Sequence, residues 1–234
     1  MSLPPEIIDL IIDFIDDNRT LRVCSRVAKT WIPRSRTRIF RKVILYSHLR
    51  WYKIMSVGDT SPARYTRVLT LAEGSDAWIN TDNFSRLFHH LKDFQNVEEL
   101  TLNGWEPSEF SEAALKKYFS HFGERLRSLT LSGYTMGPDS LLVLLGLFPN
   151  LEDLYLKHQI IGDGTNRVLA LSPKLSGRLT MRIRNGDSFP ALCKLPLRFR
   201  EICLYDHHYD YQGLIDACAG TLVDFRAVSL APCE

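Results

Sequence analysis

The sequence predicts an α/β protein in which a short helical module is followed by a solenoid of alternating strands and helices. Three observations lead to this fold class. Apolar residues recur at helical spacing in the first 40 residues, a leucine pattern then recurs every 23 to 31 residues, and the segments between its copies again show helical spacing. We therefore expect two parts, a helical module over residues 1–40 and a repeat region over residues 41–234.

The composition of the 234-residue chain is that of a globular protein, with 45% hydrophobic residues, 24% charged residues and a net charge of +2. Its five cysteines form no C-x-x-C pair, which indicates reduced thiols and no zinc site. Glu6 and Asp9 interrupt the opening apolar run, unlike a signal peptide, and no stretch reaches the roughly 18 apolar residues of a membrane span. We expect a soluble cytoplasmic or nuclear protein with no membrane partner.

The opening stretch SLPPEIIDLIIDFIDD predicts a helix with an unusually wide apolar face. Pro4 and Pro5 suit its first turn. Two adjacent apolar stripes, which together cover roughly 200° of the helix surface, are Ile7, Leu10, Ile11 and Phe14, and Ile8, Ile12 and Ile15. A helix packed on one side needs about half that width. The second stripe therefore packs either on the rest of the chain or on a partner protein.

The residues that follow extend this pattern into a module that resembles an F-box. Helical spacing continues through TLRVCSRVAKTW, and Pro33 closes it. The resemblance covers residues 3–40 and rests on Leu3-Pro4-x-Glu6-Ile7, on apolar Ile11, Ile15 and Leu21, and on Val27-x-Lys29-x-Trp31. The continuation IPRSRTRIFRKVILYS is similar to the boundary segment of fungal F-box proteins, whereas Thr20 and Ala28 depart from the commonest family residues.

This resemblance implies that the module binds the Skp-type adaptor of cullin-RING ubiquitin ligases, and through it the cullin. The positions that it implies as adaptor-contacting or module-shaping are Leu3, Pro4, Ile7, Ile11, Leu21, Val27 and Trp31.

A basic stretch runs from Arg19 to Lys42 without a single acidic residue. Such a stretch is found in nucleic-acid binders, on solvated faces and on surfaces that attract an acidic partner. No aromatic residues alternate with the arginines as single-strand binding would require. Since Skp-type adaptors are acidic, the resemblance favours the third interpretation.

The remainder of the chain contains a repeated pattern of apolar, two variable, leucine, one variable, leucine. The copies include NVEELTLNG, RLRSLTLSG, NLEDLYLKH, RFREICLYD and DFRAVSLAP. Their last apolar residues are Leu45, Leu71, Leu102, Leu131, Leu156, Met181, Leu204 and Leu230. The spacing is similar to that of leucine-rich repeats, so we expect a leucine-rich-repeat solenoid of about eight irregular strand units.

Two questions about this solenoid stay open at this point. A doubly wound α/β fold also alternates strands and helices, although its strands usually read as continuous apolar runs. The sequence ends just after a strand, without the polar cap that terminal repeats need, so either an unusual end covers the last repeat or a longer solenoid has been shortened.

No catalytic, metal or cofactor site is predicted. G-x-S-x-G, P-loop, H-E-x-x-H and dinucleotide-binding motifs do not occur. His207 and His208 follow a strand beside Asp206, which leaves an α/β-fold enzyme as an alternative, but a solvated loop explains them as well. His89 and His90 are adjacent on a predicted helix and point about 100° apart, so they would not chelate one ion.

The predicted solenoid instead presents a surface for a protein target. In leucine-rich repeats, the variable residue between the last two apolar positions lies on the concave face. That column contains mostly threonine, and the next column contributes the more recognition-like side chains. The candidate target-binding residues are Tyr155, Lys157, Arg182, Arg184 and Tyr205, together with Trp105 in a loop after a strand.

Taken with the resemblance, these features predict a non-catalytic substrate-recognition subunit of an SCF-type E3 ubiquitin ligase. A non-degradative scaffold that binds partners without recruiting a cullin is the main alternative. A nucleic-acid binder that uses residues 19–42 is a further one, and it predicts a steep salt dependence of binding.

Overall fold

The computed structural model describes residues 3–45, 61–72, 90–104, 111–133, 138–157, 174–182, 192–193, 195, 197–205 and 211–228. Within them the fold is mixed α/β, with six α-helices and one eight-stranded parallel sheet. The helices are α1 (Pro5–Asp13), α2 (Asn18–Val27), α3 (Ile32–Ile39), α4 (Glu112–Phe119), α5 (Pro138–Gly146) and α6 (Gln212–Cys218). The strands are β1 (Lys42–Leu45), β2 (Val68–Ala72), β3 (Glu99–Asn103), β4 (Ser128–Ser132), β5 (Asp153–Lys157), β6 (Arg178–Met181), β7 (Glu201–Tyr205) and β8 (Asp224–Val228). None of the described helices is long and apolar enough to cross a membrane.

The first three helices pack around a small apolar cluster of their own. Ile8 and Ile12 of α1 and Leu21 of α2 are buried in it, and Trp31 and Ile39 pack against them. Asp17 caps the start of α2, since its carboxylate accepts hydrogen bonds from the backbone N–H groups of Arg19, at 3.2 Å, and Thr20, at 2.7 Å. The chain passes from α3 into β1 within three residues, so the helices adjoin the first strand of the sheet.

The sheet is parallel throughout, and its strand order follows the order of the chain from β1 to β8. The register aligns the last apolar residues of successive strands, beginning with Leu45 opposite Leu71 and ending with Met181 opposite Leu204. The alignment that the repeat pattern predicted is therefore confirmed for β1 to β7. Side chains alternate between the two faces along a strand. This register therefore places the apolar residues of successive strands on the same face of the sheet.

The register of β8 corrects the prediction for the last repeat. Leu204 pairs with Ala227, and Ile202 pairs with Phe225, so the predicted alignment of Val228 with Ile202 is wrong by three residues. The cause lies in the turn after α6, where the N–H of Leu222 donates to Cys218 O at 2.9 Å. Leu222 thereby takes the same position as Leu126 before β4, whose N–H donates to Phe122 O at 3.0 Å. The apolar pattern of the last repeat therefore begins at Leu222 and not at Phe225. Leu230 lies outside the described residues.

The core fills the space between one face of the sheet and the helices that follow its strands. It contains the leucines of β2 to β5 together with side chains from α4, α5 and α6. Its largest fully buried side chains are Phe94, Phe119, Phe122, Phe148 and Phe199. The opposite face, which we call the open face, carries half-exposed residues such as Thr101 and Thr130 in the described part of the chain, although Thr180 of β6 is only 7% exposed there.

Candidate protein-interaction surfaces

The most apolar exposed surface of the described chain lies on α1 and α2. Eleven large apolar side chains are exposed among the described residues, and seven of them belong to residues 3–27. These seven, which we call the α1–α2 surface, are Leu3, Ile7, Leu10, Ile11, Phe14, Val23 and Val27. Single exposed leucines are normal, but seven large apolar side chains exposed within residues 3–27 are typical of an interaction site.

The two apolar stripes of α1 have different surroundings. Ile8 and Ile12 point into the helical cluster and are 8% and 0% exposed, whereas Ile7 and Ile11 are 42% and 40% exposed. One side of the helix is thus covered by α2 and α3, and no described residue of the chain covers the other side. The width of the apolar face predicts that α1 is buried on two sides. In the described part of the molecule it is buried on one side.

The residues that the F-box resemblance singles out fall into two groups. Leu3, Pro4, Ile7, Ile11 and Val27 are exposed on the helices or at the start of α1. Leu21 and Trp31 instead contribute to the helical cluster. The first group can therefore contact a partner directly, and the second holds the helices in place.

Three residues of the α1–α2 surface were not among the predicted partner-binding residues: Leu10, Phe14 and Val23. The helical wheel contains the signal for the first two, because Leu10 and Phe14 share a stripe with Ile7 and Ile11. Phe14 is 84% exposed, the largest fraction among the exposed large apolar residues described. Val23 lies on α2, so the helical wheel of α1 contains no signal for it.

A row of arginines runs along α2 beside this surface. Arg19, Arg22 and Arg26 line a shallow groove together with Asn18 and Val23. No described acidic side chain forms an ion pair with any of the three. Cationic heads without partners next to apolar side chains favour a partner with an apolar centre and acidic margins.

Two other basic residues of the same stretch serve the fold instead. Arg34 pairs with Asp13, and Arg38 donates to the backbone oxygen of Ile15 at 3.1 Å and to Asp16 Oδ1 at 3.3 Å. The basic stretch is therefore divided between internal contacts through α3 and a free cationic edge on α2.

The open face of the sheet carries a second cluster of recognition-like side chains. Lys157 Nζ lies 5.1 Å from the ring centroid of Tyr155, which is the geometry of a cation–π contact. Arg182 follows β6, where its N–H donates to Leu156 O at 2.7 Å and continues the pairing with β5. Tyr205 ends β7 on the same face, and a hydrogen bond with the Cys203 side chain raises the pKa of its phenol. Two tyrosines and two cations therefore share one surface.

The remaining predicted residues cannot be placed in this surface. Trp105 and Arg184 lie outside the described residues, as do Asp206, His207 and His208. Ser229 of the predicted concave column lies outside them too, and the register places Arg226 beside Cys203 in its stead.

The described part of the chain contains no cluster of metal-ligating side chains, and burial affects two of its thiols. No group of three or more His, Cys, Asp or Glu residues within it could hold a metal ion. Burial raises the pKa values of the Cys193 and Cys218 thiols, which keeps both protonated at neutral pH. A nucleophilic cysteine needs the opposite shift.

Comparison of the chain with protein-family models gives no match, and comparison with curated proteins gives none either.

Proposed function

We propose that this protein is a non-catalytic substrate-recognition subunit of an SCF-type E3 ubiquitin ligase. In this proposal residues 1–40 form an F-box that binds a Skp-type adaptor through the α1–α2 surface. Residues 41–234 form a leucine-rich-repeat solenoid that holds a protein target on the open face of its sheet. The observation that carries the proposal is the uncovered apolar stripe of α1, which occupies the residues that resemble the family.

The energetics of that stripe support a docking role. Covering apolar surface contributes about 25 cal/mol per Å². Ile7, Leu10 and Ile11 are each 40% or more exposed, so a partner that covered them would gain binding free energy without unpacking the helical cluster beneath. A surface on helices that are already formed also loses little backbone freedom on binding.

The sheet supports the repeat interpretation. Each strand pairs with the strands directly before and after it in the chain, as expected for stacked repeats that contact only their neighbours. Among the described residues, the side of the sheet opposite the core is half-exposed at most strands, although Thr180 of β6 is buried there. Tyr155, Lys157, Arg182 and Tyr205 are then available to contact a target, and an aromatic and cationic surface of this kind is typical of binding hot spots.

In this function the protein contributes proximity. Binding the adaptor at α1–α2 and the target on the sheet holds both on one chain, which raises the effective concentration of target lysines near the ubiquitin-charged enzyme. The described side chains have no step of the chemistry to perform, and none needs a shifted pKa for it.

The experiment is a pull-down of the tagged full chain from cell extract, probed for a Skp-type adaptor, with the native chain beside the double variant Leu10→Gln, Ile11→Gln. Glutamine is a good helix former, so α1 is retained while its exposed stripe becomes polar. The matched control is Val223→Gln, which makes a comparable apolar-to-polar change at a residue that is 73% exposed and far along the sheet. We expect the adaptor to be lost by the double variant and kept by the control. Equal recovery from all three proteins would refute the proposal.

Probing the same samples for cullin separates the ligase from the main alternative. Recovery of cullin together with the adaptor supports a ligase subunit. Recovery of the adaptor without cullin would instead favour a non-degradative scaffold.

A further inference from the structure

The last strand, β8, has a free edge in the described part of the chain. It pairs with β7 alone, and the strand order of the sheet ends with it. Phe225 is 36% exposed, whereas its register partner Ile202 is 1% exposed. β8 contains no lysine or proline, and its edge protection comes from the charges of Asp224 and Arg226. An edge with these properties is suited to pair with a further strand.

The backbone of Phe225 is directed at that free edge. The N–H of Asp224 donates to Arg200 O at 3.0 Å, on the β7 side. Because successive residues of a strand direct their backbone groups to opposite sides, the N–H and C=O of Phe225 point away from β7. Antiparallel pairing centred on Phe225 would join each Phe225 N–H to the carbonyl oxygen of the other Phe225.

The side chains beside Phe225 are complementary to themselves in this arrangement. Asp224 and Arg226 flank it on the open face of the sheet and form an ion pair at 2.6 Å. A two-fold axis at Phe225 places the Asp224 of one copy opposite the Arg226 of the other, twice. It also brings the two Phe225 rings onto the same face. Opposite charges and paired aromatic side chains across strands both stabilise antiparallel pairing.

We propose that β8 pairs antiparallel with β8 of a second copy of this chain, about a two-fold axis at Phe225. Other registers lack this complementarity. Centring the pair on Arg226 sets two guanidinium groups face to face, and centring it on Asp224 does the same with two carboxylates. Centring it on Ala227 places Arg226 opposite Val228 and leaves the charge without a partner. Charge therefore selects the register centred on Phe225.

The pairing leaves the α1–α2 surface free. Since the strands follow chain order, β1 and the helices before it lie at the opposite end of each sheet from β8. The two copies would form one continuous sheet of sixteen strands, with a helical module at each outer end. This inference does not rest on the proposed ligase function, because it uses only the residues of β8.

The test is sedimentation equilibrium of the full chain over about a hundredfold range of concentration. We expect a reversible monomer–dimer equilibrium. Asp224→Arg and Arg226→Asp should each weaken self-association about tenfold or more, because like charges then face each other across the axis. Mixing the two variants should restore dimers, since the two basic side chains of one variant then face the two acidic side chains of the other.

Glu152→Arg is the matched control, because it breaks the Arg127–Glu152 ion pair, at 2.8 Å, in the middle of the sheet and leaves β8 intact. Circular dichroism shows whether each variant is folded. A native chain that stays monomeric at every concentration would overturn the proposal, and so would a mixture of the two β8 variants that fails to associate. A native dimer that neither reversal weakens would overturn it as well.

Discussion

Arg34 in the first turn of α3 holds Asp13 at the last residue of α1. Its Nε donates to Asp13 Oδ1 at 2.7 Å, and its Nη2 donates to Oδ2. Each charge lies at the helix end that disfavours it, since helix dipoles favour anions at the start of a helix and cations at its end. The pair offsets both effects. The hydrogen bond from Arg34 also lowers the pKa of Asp13.

Replacing Arg34 should therefore loosen the helical module. We expect Arg34→Gln to lower the free energy of unfolding by about 1 kcal/mol in urea titrations, a modest value because both side chains are partly exposed. Arg22→Gln is the control, since Arg22 forms no ion pair with a described residue, and it should change stability by less than about 0.5 kcal/mol. The stability that the pair contributes is present above the unfolded pKa of Asp13 and is lost as the pH falls through the lowered folded value. Equal losses in the two variants would contradict the pairing.

Neighbouring isoleucines of α1 should separate stability from binding. Ile12 is 0% exposed and Ile11 is 40% exposed. We expect Ile12→Ala to cost about 3 kcal/mol of unfolding free energy, because it leaves a cavity in the helical cluster. Ile11→Ala should cost less than about 1 kcal/mol. Adaptor binding, measured with the purified partner, should fall with Ile11→Ala. A loss of stability in Ile11→Ala as large as in Ile12→Ala would show that the exposed stripe is packed on this same chain.

The sequence could predict that α1 has two apolar stripes, but not which of them is buried. Ile7 and Ile8 are the same residue type, as are Ile11 and Ile12, so composition does not distinguish the stripes. Leu21 of α2 packs with Ile8 and Ile12, so it determines which stripe is buried. Its position relative to α1 depends on how the helices pack. For the same reason, the sequence alone does not show which basic residues form internal ion pairs and which are free. The contact between Arg34 and Asp13 joins residues 21 positions apart.

The strands were more predictable than the surfaces, because the repeated leucines carry both position and register. Seven strands align as the pattern indicated, and the eighth does not. In the last repeat Leu222-x-x-Phe225-x-Ala227 and Phe225-x-x-Val228-x-Leu230 both fit, and the second has the better final residue. The turn after α6 settles the choice through the hydrogen bond from Leu222 to Cys218. Because the small residue Ala227 occupies the last apolar position, the sequence pattern favours the wrong register.

The turn after β4 should not tolerate a side chain at Gly133. Its φ is +121°, and a Cβ there would lie 2.6 Å from Gly104 N, whose N–H donates to Ser132 O at 2.7 Å. We expect Gly133→Ala to lower the free energy of unfolding by about 2 kcal/mol, since strain and the backbone clash act together. Thermal unfolding measures the loss. Gly220→Ala is the control, because nothing lies within 4 Å of its added Cβ, and a similar loss there would rule out the clash as the cause.

His121, which follows α4, should make stability depend on pH. Burial lowers its pKa from 6.5 to about 4, against opposing effects from the backbone of Leu91 and Tyr118 and from the charge of Asp93. Its Nε2 is buried and has no hydrogen-bond partner among the described residues. The unfolded chain therefore binds a proton on this histidine at a higher pH than the folded chain does. Because the unfolded state then holds more protons, stability falls as the pH is lowered from about 6.5 towards 4.

We expect this fall to amount to about 2 kcal/mol, below the full value of the shift because the ring is partly exposed. Urea titrations at several pH values between about 7 and about 4.5 measure it. His121→Leu should remove that part of the slope, because leucine fills the site without titrating. The carboxylates lose their stabilising contribution at lower pH, so the acid unfolding that depends on Asp13 should remain in the variant. Parallel pH profiles for the native chain and His121→Leu would mean that the imidazole is solvated in the folded protein.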